Sequence, residues 1–397
     1  MKVPSVQGTR RPPEIPKTEE HRFPCDNCGG DMRFDPGDER LICDHCGNTE
    51  ALRRANPASI REIDIRAGLG NAANDAETEE TRVLACPNCG AQVEFDPAIH
   101  AAECPFCATP VVTDTGTNRH IKPAAVLPFV FEEREAHGAM NDWLGSLWFA
   151  PNGLQRYARK GRRMSGIYVP FWTIDAQTVT AYSGQRGDVY YVTQTVIRDG
   201  KRVRVQVPKI RWTRRRGRVQ RFFDDVLILA STALPKQHTD ALQPWDLSGL
   251  APYAPHYLAG FRAEAYGVSL EQGLTEARAR MDAVIARDVR MDIGGDQQRI
   301  DSLRTELSGV TFKHILLPVW IAAYKYRGRS FRFVVNGQSG RVQGERPYSA
   351  VKIALAILAA LVVAGIAALF YAASQGGVGF DPGDFMPSGG GAGWLTD

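Results

Sequence analysis

Outside four Cys-x-x-Cys pairs the chain contains no cysteine, so none is left for an isolated catalytic thiol or a scattered disulfide framework. Phosphate-cradling chemistry is also missing. The only Gly-Lys step is Gly200-Lys201, which is followed by Arg202 and lacks the upstream glycine of a Gly-x-x-x-x-Gly-Lys-Ser/Thr loop. There is no His-Glu-x-x-His, no Gly-x-Ser-x-Gly elbow and no Gly-x-Gly-x-x-Gly after a strand. The eight histidines (His21, His45, His100, His120, His137, His238, His256, His314) are scattered. Asp175 and Asp224-Asp225 are imaginable acid–base groups, yet Asp224-Asp225 beside Phe222-Phe223 reads as a turn or strand end. These absences argue against a nucleotide-driven motor, a zincin and a serine hydrolase, and the expectation is a protein that is not an enzyme. No apolar leader precedes the first cysteine either. Residues 1–20 are polar, carry four prolines and are expected to be disordered, which speaks against a secretory signal and oxidised cysteines.

What is present is ordered. The eight cysteines form two sets, Cys25, Cys28, Cys43, Cys46 and Cys86, Cys89, Cys104, Cys107, repeated at an offset of 61, with fourteen residues between the pairs of each set. Cys-x-Asn-Cys-Gly opens both sets, and Phe34-Asp35-Pro36 recurs as Phe95-Asp96-Pro97. Two pairs at this spacing supply four thiolates to one tetrahedral Zn²⁺, and the glycines after the pairs (Gly29, Gly47, Gly90) suit a tight turn that aims backbone N–H groups at sulfur. The pattern predicts two zinc ribbons, 21–52 and 82–115, joined by a linker over 53–81, holding two zinc ions in structural sites with no open coordination position. Iron in a similar four-sulfur knuckle stays open. His45, inside a Cys-x-x-Cys pair, reads as exposed on the knuckle rather than as a ligand.

Near the other end, Ile353 to Ala373 is a run of 21 residues without a charge, long enough as a helix to cross roughly 30 Å of hydrocarbon. Arg341, Arg346 and Lys352 precede it, whereas residues 374–397, a Gly-rich tail, have no Lys or Arg and carry Asp381, Asp384 and Asp397. The positive-inside rule then places the N-terminal part in the cytoplasm and the tail across a single-pass inner membrane span.

The middle, 120–347, reads as an α+β domain of antiparallel β units with interleaved helices. Val126-Leu-Pro-Phe, Ile167-Tyr-Val-Pro-Phe-Trp and Ile315-Leu-Leu-Pro-Val-Trp are β-type runs, each with a proline; the last two match at an offset of 148, which suggests an internal repeat. Proline cannot donate to a ladder, so these strands are expected at sheet edges or bulges. Residues 173–224 and 324–337 have hairpin grammar. Glu132–Leu147 reads as a helix burying Met140, Trp143, Leu144 and Leu147, and Ser269 with Gln272 caps a longer helix whose stripe is Leu270, Leu274, Ala277, Met281, Val284 and Ile285. Gly294-Gly295 is expected to break it before a second helix ending near Leu307.

The net charge of +4 hides a bias: residues 151–221 hold seventeen Lys or Arg against Asp175, Asp188 and Asp199. Arg211-Trp-Thr-Arg-Arg-Arg-Gly-Arg-Val-Gln-Arg-Phe-Phe interleaves cations with aromatics. A solvated hairpin is the plain reading; anionic lipid or an acidic protein partner comes next, and nucleic acid after it.

The tandem ribbons, Ile167-Tyr-Val-Pro-Phe-Trp, Phe222-Phe-Asp-Asp-Val, Tyr257-Leu-Ala-Gly-Phe, Thr311-Phe-Lys-His-Ile-Leu-Leu-Pro-Val-Trp and Val335-Asn-Gly-Gln-Ser-Gly-Arg-Val-x-Gly resemble bacterial tandem zinc-ribbon membrane proteins over about residues 20–355. Members are often labelled primosomal protein N′ (replication factor Y)/superfamily II helicase-like, a label that matches only the zinc-binding segment because every motor motif is missing here. The resemblance implies the eight cysteines as functional positions, and partners of the phage-shock and SPFH membrane-stress type. The resulting expectation is a membrane-anchored zinc-ribbon adaptor, with a nucleic-acid-binding protein linked to replication as the alternative.

Overall fold

The computed structural model describes residues 23–52, 56–70, 78–86, 88, 90–94, 101–106, 110–112, 116–150, 164–198, 201–326, 329–345 and 348–374. The expected disordered N-terminus and the Gly-rich tail lie outside these residues. The fold is α+β, mostly strands, with one apolar helix near the C-terminal end. The first ribbon is a three-stranded sheet of β1 (Met32–Asp35), β2 (Arg40–Cys43) and β3 (Thr49–Ala51). After it come β4 (Ile63–Asp64) and a helical turn, Ile65–Leu69. The second ribbon region contributes β5 (Thr78–Ala85), β6 (Gln92–Glu94), β7 (Ala101–Glu103), β8 (Pro110–Val112) and β9 (Gly116–Ile121). Beyond it run β10 (Ala125–Val126), helix α1 (Glu133–Ser146), β11 (Ser165–Arg198), β12 (Lys201–Leu229), β13 (Ala251–Pro252), β14 (Arg262–Ala263), helix α2 (Leu270–Ile293), β15 (Gln297–Tyr326), β16 (Arg329–Asn336), β17 (Val342–Gly344) and helix α3 (Ala350–Ser374).

The centre of the main sheet is the antiparallel pair β11–β15, whose register runs from Ser165↔Ile321 to Gly187↔Gln297. The outer edge of β15 is shared end to end by β4 (at Thr311 and Phe312), β10 (at Ile315 and Leu316) and β16 (from Val319). The outer edge of β11 is shared by β14 and β12. The two proline runs are thus not on edge strands, as expected, but pair with each other at the centre: Pro170↔Leu316 and Tyr168↔Pro318. Each proline sits where an outer partner has just ended. Ala230 N–H donates to the Pro170 carbonyl, and Gly337 N–H to the Pro318 carbonyl. Because N–H and C=O of one residue point to the same side, the missing donor of each proline faces the finished end of β12 or β16 and breaks no ladder bond.

Alternation along β11 divides the core. Ile167, Val169 and Phe171, with Ile315, Leu317 and Val319, face one cluster that also contains Cys86, Ala91, Val93, Cys104 and Phe106 of the second ribbon. Trp172, Ile174 and Ala176 face the other, under α2. That helix begins with the expected capping box at Ser269 and Gln272, and buries Leu270, Leu274, Ala277, Met281, Ile285, Val289 and Ile293 at helical spacing. The segment after it corrects the expectation of a second helix. Gly294 and Gly295 take φ of 65° and 78°, reverse the chain and lead into β15, whose pairing with β11 overrides the helical spacing of Ile300, Leu303 and Leu307. Asp224-Asp225 also differs from its reading as a turn or strand end. Inside β12, a few residues before its end at Leu229, the register jumps from Ile174↔Val226 to Ala176↔Phe223, so two aspartates oppose Asp175 in a β-bulge, with Asp225 at φ 49°.

At Gly273 α2 comes so near the sheet that an added Cβ would lie 2.8 Å from Cδ1 of Trp172, a fully buried ring whose indole N–H donates to the Val268 carbonyl at 2.9 Å. Gly273→Ala is therefore expected to destabilise the protein by about 1–3 kcal/mol through overpacking, despite alanine's better helix propensity. Denaturant midpoints of the two proteins check this; an unchanged or raised midpoint would show that the helix yields freely.

Candidate metal centre and the docking of the ribbons

Two tight turns build the first centre. Gly29 and Gly47 each take φ 73°, which glycine enters without a Cβ clash, and their N–H groups donate to the carbonyls of Cys25 and Cys43 at 2.8 Å. The chain then doubles back, with Cys25 N–H donating to Gly30 at 2.7 Å and Cys43 N–H to Asn48 at 2.9 Å. Cys25, Cys28, Cys43 and Cys46 are thereby brought together, their Sγ atoms all within 4.8 Å of one another. Cys25–Cys46 is 3.6 Å and Cys28–Cys43 is 3.5 Å. A tetrahedron with Zn–S bonds of 2.3 Å has edges of about 3.8 Å, so the set fits one such ion.

Electrostatics point the same way. The Asn48 backbone N–H, Asn27 and neighbouring thiols bring Cys46 down to about 6. Cys28 accepts from the Gly30 N–H, but the adjacent Cys46 and Cys43 sulfurs push it up to about 12. Burial raises Cys25, and backbone N–H groups of Asn27 and Cys28 outweigh it, leaving a net lowering. Sulfurs this close cannot all ionise unless a cation balances them. The Asn48 side chain adds a donor 3.6 Å from Cys25 Sγ, and His45 is exposed beside the knuckle.

The ribbon does not stand free. Phe34, the first residue of the repeated Phe-Asp-Pro, is fully buried; its N–H donates to Ala259 at 2.9 Å and its ring meets Tyr257 edge-on at 5.5 Å and Phe261 at 6.4 Å. Gly260, at φ 83°, lets Arg33 approach. Phe261 in turn stacks on Phe129 at 4.3 Å, which contacts Tyr168 and Trp320. The Tyr257-Leu-Ala-Gly-Phe motif is a socket for the first ribbon.

Of the second set, Cys86 and Cys104 are described and buried, while Cys89 and Cys107 lie outside the described residues. The first knuckle repeats the bonds of the other ribbon: Gly90 N–H donates to Cys86, and Cys86 N–H to Ala91, both at 2.8 Å. This ribbon is part of the domain core. Val93 bridges Glu264, Ala265 N–H donates to Gln92 at 3.1 Å, and Glu264 N–H donates to Tyr168 at 2.9 Å.

Two buried polar groups at these junctions were not visible as site residues in the sequence. Lys313 is buried at the bulge, 2.8 Å from Asp225, 3.2 Å from Glu62 of the segment between the ribbons and 3.6 Å from Asp175. Burial alone would lower its pKa; the hydrogen bond to Asp225 and the charges of Asp175 and Asp225 win and raise it. One ammonium cannot balance three carboxylates, and burial pushes up the most enclosed of them, Asp175. A charged residue inside the apolar run Val310–Trp320 is the sequence signal for this network. Glu264 accepts from the Ser231 hydroxyl at 2.7 Å through one oxygen, and the other oxygen has no partner. Burial pushes it up to about 8. It borders a cavity of about 10 Å³ with Tyr266 and His314, room for one water at most.

No protein-family model and no solved structure matches the chain. Among curated proteins it is similar to one of Bacillus subtilis (strain 168) described as "Uncharacterized protein YdjG", 26% identical over 345 residues, which is 84% of this chain and 92% of the relative. That description names no activity, so the replication label attached to the resemblance gains no support from it.

Two outcomes follow from this geometry. Cys43→Ser should cost one equivalent of bound zinc and loosen the Phe34 socket, since metal binding and folding of so small a unit are coupled; metal analysis that finds iron, or no loss, would overturn the assignment. For Glu264, the folded pKa lies above the ordinary carboxyl value, so the folded state keeps a proton the unfolded chain releases. Its contribution is intact below about pH 4.5 and declines as pH rises toward 8, by up to about 1.4 kcal/mol per pH unit. Glu264→Gln should match the wild type in denaturant midpoint at pH 5 and exceed it at pH 8; parallel pH profiles would refute this.

Proposed function

We propose that the protein is a non-enzymatic, membrane-anchored adaptor that holds two zinc ions, one on Cys25, Cys28, Cys43 and Cys46 and one on Cys86, Cys89, Cys104 and Cys107. The observation that carries this reading is the closed four-sulfur cluster of a ribbon whose Phe34 sits in an aromatic socket, in a chain that also has a helix, Ala350–Tyr371, long and apolar enough to cross a membrane. A four-thiolate ion has no open position for substrate, so its role is to hold the ribbon's shape. None of that apolar stretch is buried, with Leu369 and Phe370 more than 70% exposed, which supports lipid rather than a protein core as its surroundings. The charge asymmetry across the helix supports a cytoplasmic location for the ribbons and the sheet.

The docking surface in this reading is β12, an edge strand in the tract 211–221. Arg211, Arg214, Arg215, Arg216 and Arg218 are exposed, while Arg221 is held by Asp288 of α2. An anionic leaflet or an acidic partner, of the membrane-stress class implied by the resemblance, suits such a row. A nucleic-acid reading has one observation in its favour: Arg211 lies over Tyr190 and Arg299 over Trp212, at 5.2 and 4.0 Å, the cation–aromatic pairing of single-strand binders.

Replacing Arg214, Arg215, Arg216 and Arg218 together with Ser should weaken binding to anionic vesicles, or capture of a crosslinked acidic partner from solubilised membranes, and leave zinc content intact. Nucleic acid that co-purifies with a steep salt dependence would favour the second reading. An unchanged interaction profile would return the tract to a solvated hairpin. Carbonate-resistant membrane association and a far-side signal from a fusion at Asp397 test the anchor and its orientation.

A further inference from the structure

The described residues just after α1 and the start of α3 form one unit, apart from the sheet. Trp148 and Phe149 lie in a turn closed by Trp148 N–H to Ser146 and Ala150 N–H to Leu147, both at 3.1 Å. This turn is tied to the first turn of the apolar helix. Ser349 N–H donates to the Phe149 carbonyl at 2.8 Å, and the Lys352 ammonium donates to the carbonyls of Trp148 at 3.1 Å and Ala150 at 2.8 Å. Lys352 is the only charged residue between Ala350 and Tyr371. Its charge is thus neutralised in part by two loop carbonyls at the point where the apolar run begins.

Around this knot, large aromatic side chains face outward: Trp148 is 80% exposed, Tyr348 60% and Phe149 41%. Three exposed aromatics on two short segments tied to each other are costly in water. Two of them, Trp and Tyr, carry an apolar body with a polar tip, the chemistry enriched at the boundary between headgroups and acyl chains. The hydrogen bonds fix their depth relative to the helix. One residue past Lys352 the uncharged run starts, so a helix inserted from Ile353 onward leaves Trp148 and Tyr348 level with the headgroup region.

We propose that residues 146–150, with Tyr348 and Lys352, form an interfacial collar that embeds Trp148 and Phe149 in the lipid headgroup–acyl boundary on the side from which α3 enters. The collar rests on the reading of α3 as a membrane span and adds to it a second, aromatic contact with lipid. The turn comes directly after α1 in the chain, so the bilayer holds the polypeptide at two points more than 200 residues apart in sequence rather than at the span alone.

The test uses the full chain in phosphatidylcholine vesicles, with bromine placed either next to the headgroup or near the end of the acyl chain. The emission difference between the wild type and Trp148→Phe isolates this indole from the other tryptophans. The expected result is that shallow bromine removes the larger part of that difference and deep bromine little of it. In Lys352→Gln, which loses the ammonium that ties the turn to the helix, the shallow quenching should fall while the protein stays in the membrane at high-pH carbonate. A Trp148 contribution quenched by aqueous acrylamide but by neither bromine would overturn the collar, as would one quenched by none of the three or more by deep bromine. If carbonate extracts the wild type itself, the span is wrong and the collar falls with it; a wild type that resists carbonate but leaves Trp148 in water refutes the collar alone.

Discussion

Strands of about thirty residues cannot be covered by one element, and the pair β11–β15 sets the terms for everything attached to it. Both of its edges and both of its faces must be occupied over a long run, because unpaired backbone and exposed apolar faces are each unfavourable. The edge of β15 is taken in pieces by β4, β10 and β16, and that of β11 by the long β12 with β14 at its start. One face is covered by α2, the only described helix of the domain long enough to follow the pair. The other takes the second ribbon as a filler: Val93, Cys86, Cys104 and Phe106 lie in the same apolar cluster as Ile167 and Leu317. The segment that carries the second cysteine set is here part of the core of the domain it precedes in sequence, so its unfolding would also uncover a face of the central sheet.

The buried charges sit at the seams of this assembly. Lys313 joins the bulge of β11 and β12 to Glu62 from the segment between the ribbons, so it acts as a three-way electrostatic clasp. Breaking one partner of such a network leaves an uncompensated charge, which makes the junction specific in geometry even if its net stabilisation is small. Glu264 does the opposite work. Kept neutral by burial, it lets β14 approach β6 and β11 without a charge in the core, at the cost of one carboxyl oxygen with no partner. Both groups tie the position of a ribbon, or of its flanking segment, to the main sheet.

The four-sulfur centre and the apolar helix were readable because each is local: ligand spacing within twenty-two residues, and an uncharged run of one element. The α2 cap and stripe were readable for the same reason. The error over residues 297–307 shows the limit. Ile300, Leu303 and Leu307 have helical spacing, yet their conformation is set by pairing with β11, more than a hundred residues earlier. Pro170 and Pro318 misled in a subtler way. The rule that proline avoids central strands is about the missing donor, and only the end points of β12 and β16 show that the donor has no acceptor to miss. Glu264 has no local pattern, and Lys313 only that of a charge in an apolar run, since the chemistry of both comes from burial created by distant segments. The Tyr257-Leu-Ala-Gly-Phe motif was noticed as a likeness, but its role as a socket needed Phe34 beside it.

This docking also narrows what the proposed adaptor would present. The apolar side of the first ribbon is used up by Tyr257 and Phe261, and Cys25 and Cys43 face inward with it. Cys28 and Cys46, with the turns at Gly29 and Gly47, remain on the exposed side. A partner of this ribbon would therefore meet the knuckles, with Asp26, Asp44 and His45, and the exposed three-residue strand β3 rather than the apolar side. Such a surface is too small to hold a partner by area alone, given that stable interfaces bury on the order of 800 Å² a side. Affinity would have to come from a second contact, and the exposed arginine row of β12 is the described surface with the charge to supply it.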